Sequence, residues 1–199
     1  KLIRSLKAIL GEPAGDSSGH RSAPAARAPG RPAARLSVCV LPFSNMGNEH
    51  EQDYFSDGVT EDIITDLARI SGLAVTSRNT AFSFKGKEVK LRQLARQLNV
   101  THVLEGSVRR AGDRLRISAQ LIDAAQDRPV WADRYDRSLS DIFALQTEIS
   151  EAIVAALKIA LLPEEKQAIV GRGTDKPEAY DLYLMARQNY STGIEQDPR

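Results

Sequence analysis

The chain has 199 residues, with 27 Lys+Arg against 26 Asp+Glu, three His and one Cys. A single cysteine excludes a disulfide-stapled scaffold and an all-cysteine zinc site. A formal charge of +1 argues against a protein whose bulk coats nucleic acid. The longest apolar stretch, residues 152–162, contains Lys158; at about 11 residues it falls short of the roughly 20 that span a bilayer. No apolar segment with a cleavage site follows Lys1, so no signal peptide is read.

The average charge conceals a split. Residues 1–35 hold seven Lys/Arg and two Asp/Glu, whereas residues 36–199 hold 20 and 24. Residues 1–10 place apolar side chains at 2, 3, 6, 9 and 10, a short amphipathic helix or the tail of a preceding element. Residues 11–35 contain seven Ala, four Gly, four Pro and four Arg, and no Leu, Ile, Val or aromatic residue. Such a segment buries too little to offset the entropy of ordering, which predicts a flexible linker.

The folded region begins at Leu36. The β-branched run 36–43, ended by Pro42, reads as a buried strand with Cys39 as a structural thiol. Residues 45–48 form a turn cluster. From Asp53, the stripe Phe55, Val59, Ile63, Ile64, Leu67 and Ile70 predicts a helix that stops before Gly72. Residues 72–76 predict a second strand, followed by a polar loop through Ser77, Arg78 and Asn79; Leu91, Leu94, Ala95 and Leu98 mark a second helix. The period then changes to 2. Residues 101–110, 114–123 and 129–136, separated by turns at 111–113 and 126–127, predict an antiparallel meander with one polar face. Trp131 and Tyr135 are expected mostly packed. A long helix opens at Ser140–Phe143, with Ser140 or Asp141 as N-cap. The order β-α-β-α-β-β-β-α predicts an α+β fold: a mixed sheet of about five strands with helices packed on it. Residues 163–177 read as a linker and 178–199 as the start of a helical region.

Few residues carry chemistry. Asp53, Asp57, Glu61, Asp62 and Asp66 lie along one helix, where an acidic, solvated first turn is the simplest reading. Gly58 interrupts that helix, which implies a close approach, either to the turn at Pro42 and Phe43 or to a ligand. His20, His50 and His102 have no metal spacing, and residues 84–87 lack the spacing of a phosphate loop. Arg109, Arg110, Arg114 and Arg116 cluster at the first meander turn, nearly balanced by Asp113, Asp127, Asp133 and Asp136. Cross-strand pairing on a wet sheet face accounts for them.

Residues 38–45, 53–67, 77–79, 84–87, 103–110, 121–123, 130–136 and 141–143, in that order, resemble the TolB amino-terminal-like domain over about residues 36–162. The resemblance implies the middle region of a bacterial multidomain signalling protein. There it follows a class III adenylate or guanylate cyclase domain, or a winged-helix DNA-binding domain, and precedes tetratricopeptide repeats. Tyr180–Ala186 and Asp197–Pro198 look like the approach to such repeats. No catalytic residue is carried over. The expectation is a non-catalytic regulatory or interaction module, with no cofactor and no metal, contacting flanking domains or a protein partner. Its candidate binding residues are Asp57, Gly58, Arg78, Asn79, Arg109, Arg114 and Arg116. The alternatives are an interaction module of a winged-helix regulator and a nucleotide- or nucleic-acid-binding domain using the arginine-bearing sheet. Nucleic acid is not expected for this chain, and a homodimer through a sheet edge or helix is open. The expected location is the cytoplasm, or the periplasm behind an upstream anchor.

Overall fold

The computed structural model describes residues 36–47, 53–170 and 176–195. The amphipathic stretch 1–10, the linker 11–35, His20, His50 and Asp197–Pro198 lie outside the described residues. The elements are β1 (Ser37–Val40), β2 (Ser44–Asn45), α1 (Asp53–Ala68), β3 (Ala74–Val75), α2 (Arg78–Phe82) and α3 (Leu91–Leu98). They are followed by β4 (His102–Ala111), β5 (Arg114–Asp123), β6 (Arg128–Ser138), α4 (Ile142–Ala156), α5 (Pro163–Val170) and α6 (Pro177–Glu195). The fold is α+β, with a six-stranded mixed sheet ordered β3-β1-β4-β5-β6 and β2 paired to β4 beyond β1.

Burial follows pairing. β1 lies between β3 and β4, parallel to both, and all four of its residues are buried, as a strand covered on both faces requires. Cys39 sits in it, and burial pushes its thiol up to about 11. β4, β5 and β6 form the antiparallel meander, with Leu104 opposite Leu121 and Val108 opposite Ile117. On β5 alternate residues Leu115, Ile117, Ala119 and Leu121 are buried, as is Tyr135 on β6, while Trp131 is half-buried. β4 departs from simple alternation, because Val103 and Leu104 are both fully buried. α1 and α4 pack together beneath one face, and α3 packs on β4.

Phe43 locks the first crossover. Its backbone N–H donates to Thr60 Oγ1 of α1 (3.0 Å), and its ring lies against Gly106 of β4. A Cβ built on Gly106 would come 2.8 Å from two Phe43 ring carbons and 2.5 Å from the Ser118 carbonyl oxygen. Gly106 is therefore the place where β4 must carry no side chain.

Four local expectations change. Part of the turn cluster is a strand, since Ser44 and Asn45 pair in parallel with Ser107 and Val108. The polar loop at 77–79 opens α2, whose N-cap Ser77 accepts from the Thr80 N–H. Asp141 stands at the N-cap of α4, as expected, but makes no side-chain capping bond, and a 3-10 turn, Leu139–Asp141, leads in. The stretch read as a linker from 163 begins with α5, for which Pro163 at the first position and Glu164 and Glu165 in the first turn are suitable.

Glu165 ties α5 down by accepting from the backbone N–H groups of Ser71 (2.7 Å) and Leu162 (2.9 Å). Those donors hold its carboxyl below the ordinary value of 4.5. Because the folded value lies below the unfolded one, the stabilisation is complete above the unfolded value and is lost as pH falls through the folded one. Glu165→Gln should lower the urea midpoint at about pH 7, and the gap to wild type should narrow as pH falls below the ordinary glutamate range. A gap independent of pH would show that the charge contributes nothing.

Candidate functional site

The acidic residues of α1 are not a solvated face. Lys85 Nζ reaches Asp57 Oδ1 and Oδ2 (2.8 and 2.6 Å), Arg78 Nε reaches Glu61 Oε1 (2.5 Å), and Arg187 of α6 also binds Glu61. The Arg78 guanidinium lies over the Phe82 ring at 4.5 Å from its centroid. Burial pushes the Asp57 carboxyl above its ordinary value, against the pull of Lys85. One turn further on, the Tyr180 hydroxyl donates to Asp62 Oδ2 (2.5 Å), and Gln146 Nε2 of α4 donates to the same oxygen (2.8 Å).

These partners converge because α6 lies along α1. Tyr180 and Leu184, four residues apart, are buried on one stripe of α6, with Arg187 three residues on. The Tyr180 ring meets Phe143 edge-on at 5.2 Å and Phe55 at 6.4 Å. Asp181 accepts from the Tyr54 hydroxyl (2.9 Å) and from Arg110 Nη1 at the end of β4 (2.8 Å). Burial and the neighbouring Asp181 push the Tyr54 phenol up to about 12. Gln146 Oε1 is buried without a hydrogen-bond partner among the described residues.

Gly58 takes its meaning from this seam. A Cβ there would lie 2.5 Å from both methyl carbons of Leu184 and 3.0 Å from its Cγ. The close approach inferred from sequence is made to α6, not to the turn at Pro42 and Phe43. Asp57, Gly58 and Arg78 come together with Tyr54, Glu61, Leu184, Arg187 and Gln188 around a cleft of about 280 Å³. Asn79 is exposed on α2 and does not line it.

Arg109, Arg114 and Arg116 form a second group, around a recess of about 190 Å³ that they line with Asp136. Arg109 and Arg116 stand directly opposite each other, and Arg116 Nε binds Asp136 Oδ1 (2.6 Å), which holds the Asp136 carboxyl below its ordinary value. This group shares no lining residue with the α1–α6 cleft. A wider groove of about 930 Å³ lies between residues 84–91 and the sheet, lined among others by Phe84, Lys87, Ser107, Ser118 and Arg134. Periodicity gave no sign of it, because its wall is an irregular segment.

Sequence reasoning missed Tyr54, Gln146, Tyr180, Asp181, Leu184 and Arg187. Only the spacing of Tyr180, Leu184 and Arg187 signalled a packed stripe, and it named no partner. Among the described residues no group of three or more His, Cys, Asp or Glu could hold a metal ion, and no helix is long and apolar enough to cross a membrane. Burial lowers the affinity of His102 for a proton.

Residues 34–152 match the model of the second domain of HilA/YgeH-like transcriptional regulators. The chain is 51% identical over 164 residues to a protein of Rhizobium meliloti (strain 1021) named putative adenylate cyclase 3. That match covers 82% of this chain, which spans only 28% of the relative's length. Among solved structures, TolB from Acinetobacter baumannii is 18% identical, with a TM-score of 0.47, over 63% of this chain and 29% of that one. Lipoprotein GNA1162 from Neisseria meningitidis is 17% identical, with a TM-score of 0.45, over 64% of this chain and 99% of that one.

Proposed function

We propose that this chain, which belongs to the family of second domains of HilA/YgeH-like transcriptional regulators, is a non-catalytic regulatory module of a bacterial signalling protein. It couples an effector domain before it to a helical region after it. The observation that carries this reading is the seating of α6 on α1: Leu184 over Gly58, Tyr180 on Asp62, and Asp181 between Tyr54 and Arg110. Residues selected as a ligand site are thus engaged by the chain's own last helix, which makes the cleft a joint between segments. In the finer form of the proposal the domain is of the TolB amino-terminal type and α6 begins a tetratricopeptide-type array. Its protein contacts are the flanking domains, and its compartment is the cytoplasm.

The effector is assigned to the class III adenylate or guanylate cyclase type, in keeping with the name of the Rhizobium relative. The family match favours a second reading, in which a DNA-binding regulator domain occupies that place. Leu184→Asp in the full-length protein should change the effector's output by about fivefold or more, the lower range of allosteric coupling, with the sheet domain still folded. Cyclic nucleotide formation reads the first version and reporter transcription the second. Unchanged output in both, with α6 shown to be released, would defeat the regulatory reading.

A further inference from the structure

β6 is the last strand of the sheet, 11 residues long, and among the described residues no strand pairs with its outer edge. The opposite edge, β3, has only two residues. A long bare edge is a template for strand addition unless its side chains forbid it. On β6 they select one partner.

The backbone orientation follows from the ladder. The Leu139 N–H donates to the Asp113 carbonyl (2.8 Å), in line with the pairing of Ser138 with Arg114. Antiparallel strands alternate, so Asp133, Tyr135 and Arg137 turn their backbone groups toward β5. Arg134, Asp136 and Ser138 present theirs outward, where the Arg134 N–H donates to Asp133 Oδ1 (2.7 Å) and the Asp136 carbonyl accepts from Arg137 Nη1 (3.2 Å). The bulge in this pairing, at Leu121/Ile122, lies beyond that stretch.

The side chains read Asp133-Arg-Tyr-Asp-Arg137. When this segment is laid antiparallel on a copy of itself about an axis at Tyr135, Asp133 faces Arg137 and Arg134 faces Asp136, opposite charge on opposite charge. The Arg134–Asp136 pairs also use the outward backbone groups, which Asp133 and Arg137 release as they turn to face each other across the axis. Centring the axis on Asp133, Arg134, Asp136 or Arg137 places that residue against its own copy, which repels. Within one chain Asp136 binds Arg116 and Arg137 binds Glu148 (3.4 Å). Asp133 Oδ1 accepts from the adjacent Arg134 backbone N–H (2.7 Å), and the charge of Arg134 helps to hold the Asp136 carboxyl below its ordinary value. A second β6 gives Asp133 and Arg134 each an opposite charge across the axis and extends Arg116–Asp136 into a ladder of alternating sign.

We propose that β6 is a homodimerisation edge: two copies of this chain join antiparallel about an axis at Tyr135, merging their sheets into one. The proposal does not depend on the seating of α6. Sedimentation of the 199-residue chain from roughly 1 μM to 1 mM should show monomer passing to dimer within that range. Arg134→Asp and Asp136→Arg should each raise the dissociation constant about tenfold, and the double swap should return it toward wild type. Ala132 and Ser138 face each other in this register, so Ala132→Cys/Ser138→Cys should form a disulfide-linked dimer on oxidation. Ala132→Cys alone should not, and Cys39 is buried and does not interfere. A monomer throughout the range would overturn the proposal and leave the charges as a guard against strand addition. So would a dimer indifferent to the reversals, or one that the cysteine pair fails to trap.

Discussion

Gly106→Ala is expected to destabilise the domain by about 3 kcal/mol, the upper end of the cost of overpacking a core. The added methyl has two neighbours with no room to give. One is the Phe43 ring, buried and held by the Phe43–Thr60 bond; the other is the Ser118 carbonyl oxygen, part of the ladder backbone. For a chain of this size such a loss corresponds to a fall in Tm of about 6–12 °C. Phe43→Leu in the Gly106→Ala background separates the two obstacles, because it relieves the ring contact and leaves the carbonyl contact. Little rescue is expected, since a backbone atom cannot rotate away. A loss below about 1 kcal/mol for Gly106→Ala would mean that β4 and Phe43 are not so closely apposed.

Gly58→Val has a different expected result: the sheet domain stays folded and α6 is released. The branched side chain would occupy the position of the Leu184 methyl groups, 2.5 Å from the site of its own Cβ. Burying a leucine contributes about 1.5–3 kcal/mol, so hydrogen exchange across residues 177–188 should speed up by roughly 10–150-fold while β4 and β5 remain protected. Gly58→Ala tests the same contact by sign. Alanine favours a helix by up to about 1 kcal/mol over glycine, so it should stabilise α1 once Leu184→Ala has made room. With Leu184 present it should give no such gain. Equal effects in both backgrounds would mean that Gly58 and Leu184 are not coupled, and unchanged protection of α6 in Gly58→Val would rule out the seating described above.

The meander was the most legible part of the fold, because its information is local. Residues 101–136 switch to period 2 and carry turn residues at both reversals, where Gly112 and Asp127 adopt positive φ. The left-handed Asn99 likewise ends α3. What stayed hidden was short or long-range. β2 has two residues and no period, so only its pairing with β4 defines it. α2 is a single turn or so behind the capping residue Ser77. The start of α5 was written in Pro163-Glu-Glu, yet the low hydrophobicity of the stretch read as linker.

At the site, Gly58 did announce a close approach, since a glycine inside a helix needs a reason. It could not announce Leu184, 126 positions away, because nothing in a single sequence pairs the two. The acidic run on α1 misled for the same cause: Lys85, Arg78, Arg187, Gln146 and Tyr180 reach it from four different segments.

A helix held to α1 by Leu184 alone could creep along it, trading one apolar contact for the next. Tyr180 and Asp181 forbid that, because each has one set of partners at one height. Sliding α6 by a turn, about 5.4 Å, would part the Tyr180 hydroxyl from Asp62 and Asp181 from Tyr54 and Arg110, at about 1–3 kcal/mol for a polar group left buried and unpaired. The seam is therefore a detent. α6 sits in its notch or leaves it, and a pull transmitted along that helix reaches the sheet domain as a threshold rather than a gradient.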